Sequence, residues 1–343
     1  MKTLIEKANG QSIQKAAQIL KSGGLVAFPT ETVYGLGADA LNAKAVKKIY
    51  LAKGRPSDNP LIVHIAQLNY LNEIAKDISA KAIELTKKFW PGPLTIILNK
   101  KDYIPYETSG ALDTIAVRFP ANSLAQKLIN AANLPIAAPS ANVSGKPSCT
   151  HFSHVINDLD GKIDMIIYEE SEKEFSFGLE STIIDMTLEI PVMLRPGAVT
   201  LEMLKDCIGD VIVADNLLND NEHPKAPGMK YKHYSPKAEV IIVSGNLENM
   251  SAKINELILQ SENKKIGVLA SDQTKNLYNN CLVLSAGNRN NLLDVAENLF
   301  SILREFDLND IEIIYAESFP QNDIGFAIMN RLQKAADYKI IRV

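Results

Sequence analysis

Thr30, Glu31, Thr32 and Tyr34 follow the apolar run Leu25-Val26-Ala27-Phe28, separated from it only by Pro29. The run has the length and composition of a short buried strand. Proline cannot donate to a ladder and ends it. Ligands in α/β sheets bind beyond the carboxyl ends of strands, so a cluster of hydroxyls and a carboxylate at such an end is a candidate site. Gly35 and Gly37 come next and are expected to let the backbone turn tightly or approach a ligand closely. Further along, Lys53 and Arg55 flank Gly54 at the end of a helical pattern, where two cations suit either the helix dipole or phosphate groups. Arg118 stands between Val117 and Phe119 in an apolar run. A buried guanidinium needs a carboxylate partner, from the protein or from a ligand. Ser140 and Asn142 lie in the small-residue loop Ala137–Gly145, Ser181 opens a strand, and Arg195 leaves one beside Pro196-Gly197. Lys53, Arg55, Ser140, Asn142 and Arg195 together suit a triphosphate without any Walker motif. Thr32, His64, Arg118 and Ser181 suit a smaller amino-acid pocket. His64 lies within the run Leu61–Ile65, where a histidine on its own is more often a hydrogen-bonded structural residue.

Elements that would position these residues follow from periodicity. Ile13, Ala16, Ala17 and Leu20 share one helical face, stopped by Gly23-Gly24. Asn42 caps a second helix that delivers Lys53 and Arg55. Ala82, Leu85, Thr86 and Phe89 mark a third helix, and Leu124, Ala125, Leu128 and Ile129 a fourth. Strands are expected at 94–98, 114–119, 165–168, 181–186 and 191–195, and Thr200 caps a helix through Cys207. Trp90 precedes Pro91-Gly92-Pro93 and is expected to pack in the core beside that turn. From Glu239 onward strands alternate with helices, which predicts a small parallel α/β domain. No P-loop or GxGxxG supports nucleotide binding there. Residues 215–238 have the composition of a linker, yet Met229, Tyr231, His233 and Tyr234 give it something to pack.

These words, from GGLVAFPTETVYGLGADA through KGRPS, PGP, the Ser-Ala-Asn-x-Ser-Gly loop, GLEST and LRPG to PGMKYKHYSP, resemble the YrdC-type threonylcarbamoyl-AMP synthase family in its long two-domain form. The likeness covers about residues 12–205, then the linker. It implies a catalytic domain over 1–208 with a twisted open sheet and helices, a linker or lid over 209–238, and a Rossmann-like C-terminal domain over 239–343. It implies condensation of L-threonine, bicarbonate and ATP to threonylcarbamoyl-AMP and pyrophosphate, with Mg2+ accompanying the phosphates. The product would feed the threonylcarbamoyl transferase machinery that modifies tRNA beside the anticodon. By motif, Thr32, His64, Arg118, Ala138 and Ser181 are expected to hold threonine. Lys53, Arg55, Asn59, Thr114, Ser140, Asn142, Ser148 and Arg195 are expected to hold ATP, with Lys53 and Arg55 as the catalytic cations. Tyr231 or Tyr234 would close over the nucleotide. The acidic stretch 169–174 departs from the short glycine-bearing turn usual in the family.

Composition limits the alternatives. The chain has 343 residues, 46% hydrophobic and 22% charged, with a net charge of -4. That length favours about two domains, and that charge gives no global attraction to nucleic acid or anionic membrane. An RNA-binding module would have to rely on a local basic cleft of Lys53, Arg55, Lys146 and Arg195. A carbamoyl-transfer enzyme with a related domain would carry additional domains and zinc-type cysteine clusters. Cys149, Cys207 and Cys281 have neither metal nor disulfide spacing. Cys149 is expected to be a small core filler, with a reactive loop thiol as the alternative. No apolar run approaches the roughly 20 residues that span a bilayer, and a cytoplasmic protein is expected.

Overall fold

The computed structural model describes residues 2–169, 177–214, 234–261 and 263–343. The chain divides into two compact units, one of 1–144 with 149–231 and one of 145–148 with 232–343.

The first unit opens with β1 (Leu4–Lys7), α1 (Gly10–Lys21), β2 (Val26–Phe28), β3 (Gly35–Asp39), α2 (Ala43–Lys53) and β4 (Ile62–His64). It continues through α3 (Asn69–Ile74), β5 (Ala75–Lys76), α4 (Ala80–Phe89), β6 (Leu94–Lys100), α5 (Tyr106–Ser109), β7 (Thr114–Arg118) and α6 (Ser123–Ala132). It closes with β8 (Ile136–Ala137), α7 (Phe152–Leu159), β9 (Met165–Tyr168), β10 (Thr182–Asp185), β11 (Val192–Arg195), α8 (Leu201–Ile208) and β12 (Ile212–Val213). Its strands form one mixed sheet in the order β1-β9-β2-β3-β8-β4-β7-β6-β10-β11-β12, with β5 paired to β6. β12 falls within 209–238 and is a strand of this sheet, pairing with β11.

Local chemistry sets the helix ends. Asn9 and Ser12 form a reciprocal capping box on α1, and Gly23 follows that helix at φ +74°. Asn42 accepts from the N–H groups of Lys44 and Ala45 at the start of α2. Gly54 ends α2 in the left-handed region that favours glycine. The residues expected to face inward on α4 and α6 are buried. Ala16, Ala17 and Leu20 of α1 pack with Leu124, Leu128 and Ile129 of α6 in the main core, together with Val26, Phe28 and Met165 from the sheet.

Gly35 and Gly37 differ from expectation. They are strand residues of β3, which pairs antiparallel with β2, Gly37 opposite Val26. A Cβ on Gly37 would come within 2.8 Å of both Ile136 Cγ2 and Phe28 Cε1, so side chains from neighbouring strands occupy that space. Trp90 is buried, its indole N–H donating to Leu94 O at 2.7 Å. Cys149 is fully buried, with its thiol on Ala141 O, as befits a core filler.

The second unit contains β13 (Glu239–Ser244), α9 (Leu247–Gln260), β14 (Ile266–Ala270), a 3-10 turn at Lys275–Leu277, β15 (Leu282–Ser285) and α10 (Leu292–Leu308). β16 (Ile313–Glu317), α11 (Ile324–Ala335) and β17 (Ile340–Arg342) complete it. The five strands, in the order β15-β14-β16-β13-β17, pair in parallel throughout. At the carboxyl end of β16, Glu317 is fully buried and accepts from Ser271 at 2.8 Å, from Thr274, from Tyr278 at 2.6 Å and from Arg289 at 3.1 Å. Tyr234, expected to reach a nucleotide, belongs to this unit. Its buried ring stacks on Phe300 at 5.2 Å, and the Arg331 guanidinium lies 5.6 Å from it. Tyr231 and most of the linker lie outside the described residues. Among the described residues, no helix is long and apolar enough to cross a membrane.

Candidate active site on the large sheet

Strand register brings together the residues expected to hold threonine. β4 and β7 run parallel with His64 opposite Arg118, and β6 runs antiparallel to β7 with Thr95 opposite Arg118. Opposed residues share a sheet face, so His64, Arg118 and Thr95 form one row. β10 lies parallel to β6, and Ser181 just before it meets Thr95, Oγ to Oγ1 at 2.8 Å. Ala138 follows β8, its N–H donating to Ile62 O at 2.8 Å. Thr32 closes the row from the β2–β3 loop, its Oγ1 accepting from Arg118 Nη1 at 2.9 Å.

That loop braces itself. Thr30 Oγ1 donates to Val33 O at 2.7 Å and receives the N–H groups of Thr32 and Val33. With Thr30's proton so used, the 2.9 Å contact between the Thr30 and Thr32 hydroxyls must be donated by Thr32. Glu31, between them, is fully buried, and its Oε1 lies 2.7 Å from Arg118 Nη2. The buried guanidinium therefore has a protein carboxylate beside it. It also has Gly92 O, 3.3 Å from Nε. Sequence reasoning noted Glu31 only as part of a polar loop and did not note Thr95. Polarity within an apolar strand was the available signal for Thr95; for Glu31 it was an acid that an arginine-bearing strand had to meet.

His64 sits at 3% exposure against the edge of Phe28. Burial, then the neighbouring Arg118 charge, pushes its pKa down to about 3. The imidazole is neutral, and because a carbonyl only accepts, the 3.2 Å contact to Ile62 O places a proton on Nδ1.

The cations expected at the phosphates each hold backbone carbonyls in the fold. Lys53, at 2% exposure, turns its ammonium onto the carbonyl oxygens of Ser140 and Asn142. Ser144 N–H returns a bond to Lys53 O, so the end of α2 and the small-residue loop are laced together. Ser140 Oγ in turn donates to Asn142 Oδ1. Arg195 donates from Nε to Ser181 O at 2.9 Å and from Nη2 to Ser181 Oγ at 3.1 Å, so it joins the amino-acid row through Ser181. Arg55 reaches the carbonyls of Asn59 and Pro60 and lines an open cavity of about 830 Å3 with Lys47, Tyr50, Ser57, Tyr106 and Glu107. Asn59 is buried, and neither atom of its amide has a protein partner among the described residues. Thr114, at the start of β7, shares a face with Arg118 but stands four residues away, about 13 Å by strand rise. Ile62, Ile97, Ala116 and Ile183 belong to one buried apolar cluster on the sheet. Ser148 is buried and lies in the segment 145–148 that groups with the second unit. Lys53 and Arg195, two of the four cations a basic cleft for RNA would use, are buried.

Residues 18–197 match the profile of the Sua5, YciO and YrdC proteins, described as telomere recombination, and residues 199–337 match that of the threonylcarbamoyl-AMP synthase C-terminal domain. The chain belongs to the Sua5/YrdC family. The threonylcarbamoyl-AMP synthase of Pyrococcus abyssi is 47% identical over 341 residues, 98% of each chain. That of Bacillus subtilis is 47% identical over 335 residues, 97% of this chain and 95% of the relative. Among solved structures, Pyrococcus abyssi Sua5 complexed with L-threonine has a TM-score of 0.92 at 46% identity, covering 99% of this chain and 98% of that one. Similarity at this level spans both units of the Sua5 architecture.

Proposed function

We infer that this chain is an L-threonylcarbamoyladenylate synthase, joining L-threonine, bicarbonate and ATP into threonylcarbamoyl-AMP with release of pyrophosphate and water. The observation that carries the reading is the buried row His64, Arg118, Thr32 and Ser181 at the ends of β4, β7 and their neighbours, in a chain 47% identical to enzymes of that name across its length. Arg118 offers a guanidinium for the threonine carboxylate, and the threonine side chain sits among Thr32, His64, Ala138 and Ser181. His64 stays neutral, so it packs and hydrogen-bonds without adding a second positive charge.

ATP extends from Ser140 and Asn142 toward Arg55, Asn59 and Thr114. Lys53, which holds the carbonyls of the Ser140–Asn142 loop, and Arg195, which holds Ser181, belong to the same ATP-binding set. The carbamate oxygen of N-carboxythreonine attacks the α-phosphorus, and pyrophosphate leaves. Catalysis comes from orientation and from neutralising charge on the leaving group, to which Arg55 contributes. Among the described residues, no group of three His, Cys, Asp or Glu offers a protein cage for a metal. Mg2+ would accompany the phosphates of ATP and offset their charge. The product passes to the machinery that modifies tRNA beside the anticodon, which places the enzyme in the cytoplasm. Incubation with ATP, Mg2+, bicarbonate and each amino acid in turn tests the reading. Threonine alone should give rapid pyrophosphate release and an adenylate of the expected mass; release without such an adenylate, or with all amino acids alike, would overturn it.

A further inference from the structure

We propose that Glu31 is the acceptor for the α-amino group of the amino-acid substrate, so that Glu31 and Arg118 read the two ends of one zwitterion. The inference rests on the threonine pocket proposed above and adds a residue to it. Glu31 and Arg118 are both buried, at 2% and 4% exposure. Glu31 Oε1 lies 2.7 Å from Arg118 Nη2, which is ion-pair distance. Yet both atoms lack an aligned hydrogen-bond partner among the described residues. The two atoms are each other's ion-pair partners without being aligned for a hydrogen bond, so each keeps hydrogen-bonding capacity that a ligand could use.

The rest of the two groups is committed. Arg118 spends Nη1 on Thr32 Oγ1 and Nε on Gly92 O. Glu31 Oε2 accepts the N–H of Asn122 at 3.4 Å, and its backbone carbonyl accepts the N–H of Phe177 at 2.7 Å. Nη2 and Oε1 thus face each other from fixed supports. Leaving buried polar atoms unpaired is costly, and an ion pair whose remaining bonds are unmade gains little over its desolvation. An α-amino acid cancels both deficits at once, its carboxylate on Nη2 and its ammonium on Oε1. A hydroxy acid or a simple carboxylic acid would satisfy Arg118 and leave Glu31 as it was. Glu31 accordingly selects for an α-amine, the nucleophile that carbamate formation requires.

The test is a binding cycle in the presence of ATP, with L-threonine and with 3-hydroxybutyrate, which is threonine without its amino group. Wild-type protein should prefer threonine by at least about tenfold, the scale of a hydrogen bond to a charged group. In Glu31→Ala the preference should collapse toward unity, and in Glu31→Gln, which keeps the shape, it should fall several-fold. ATP affinity checks that the variants remain folded. Equal binding of the two ligands by the wild type would overturn the proposal without recourse to any variant. Proportionate weakening of both ligands in Glu31→Ala would also overturn it, reducing Glu31 to a support for Arg118. Failure of wild-type protein to bind L-threonine at all would instead bring down the pocket assignment beneath it.

Discussion

Burial holds the His64 imidazole neutral, with a pKa of about 3 against an ordinary 6.5. The unfolded chain therefore binds a proton between these values that the native state refuses. Stability rises with pH where the unfolded state holds more protons, so this residue costs stability as pH falls below 6.5, by up to about 1.4 kcal/mol per pH unit. Urea denaturation from pH 7 to 4 should show that slope, and His64→Asn should flatten it. The same depression predicts that kcat/KM between pH 5 and 8 carries no limb from His64, which a matching change in the variant's profile would refute. Arg118 yields a second expectation. Removing it would strand the Glu31 carboxylate, so Arg118→Lys is the informative change: it keeps the charge and loses the fork. Threonine affinity should fall about tenfold or more while ATP affinity stays within twofold by calorimetry. That Arg118 needed a carboxylate was legible in the sequence, since charge in an apolar run demands a partner. Which carboxylate was not, because Glu31 reaches it only through the folded β2–β3 loop. Lys53 taught the converse: a cation at a helix end reads as a phosphate ligand, whereas its reach to Ser140 and Asn142 depends on where a distant loop comes to rest.

Among the elements, the helices were the most legible. α4 and α6 bury the residues their spacing selects, and Asn42 and Thr200 cap α2 and α8 through side-chain oxygens. Amphipathic periods and caps are local signals, and tertiary packing agreed with them. The sheet was read less fully. β3 looked like a glycine turn because its small residues carry no strand signature, and β5, β8 and β12 are two-residue strands too short for any period. Gly37 now has a specific role, since a methyl group there meets Ile136 and Phe28. Gly37→Ala should cost about 1–3 kcal/mol by overpacking, read as a lower urea midpoint at unchanged slope. Arg195 depends on another glycine. A Cβ on Gly197 would fall 2.5 Å from the backbone N of Thr182, next to the Ser181 that Arg195 grips. Gly197→Ala is therefore expected to weaken threonine and ATP together, by separate titrations, where Gly37→Ala lowers stability and spares both affinities.

At the scale of the molecule, composition and the change of pattern at Glu239 announced a second, parallel α/β body, and its five strands pair in parallel. What no pattern announced is its polar centre. Glu317 collects Ser271, Thr274 and Tyr278 from the β14–β15 connection and Arg289 from the loop after β15, a convergence that exists only once the strands are aligned. Arg289→Ala would leave that carboxylate without its cation and should destabilise the second unit by about 3 kcal/mol, seen as earlier loss of protection in its amides by hydrogen exchange. The three thiols, finally, are distributed so that one of them can time the opening of the first unit. Cys149 is sealed in the first unit, while Cys207 and Cys281 are partly accessible. A thiol reagent added to native protein should therefore modify two cysteines promptly and the third only as fast as the first unit opens. The slow phase, followed by mass, would measure that opening directly, and bound threonine and ATP should lengthen it.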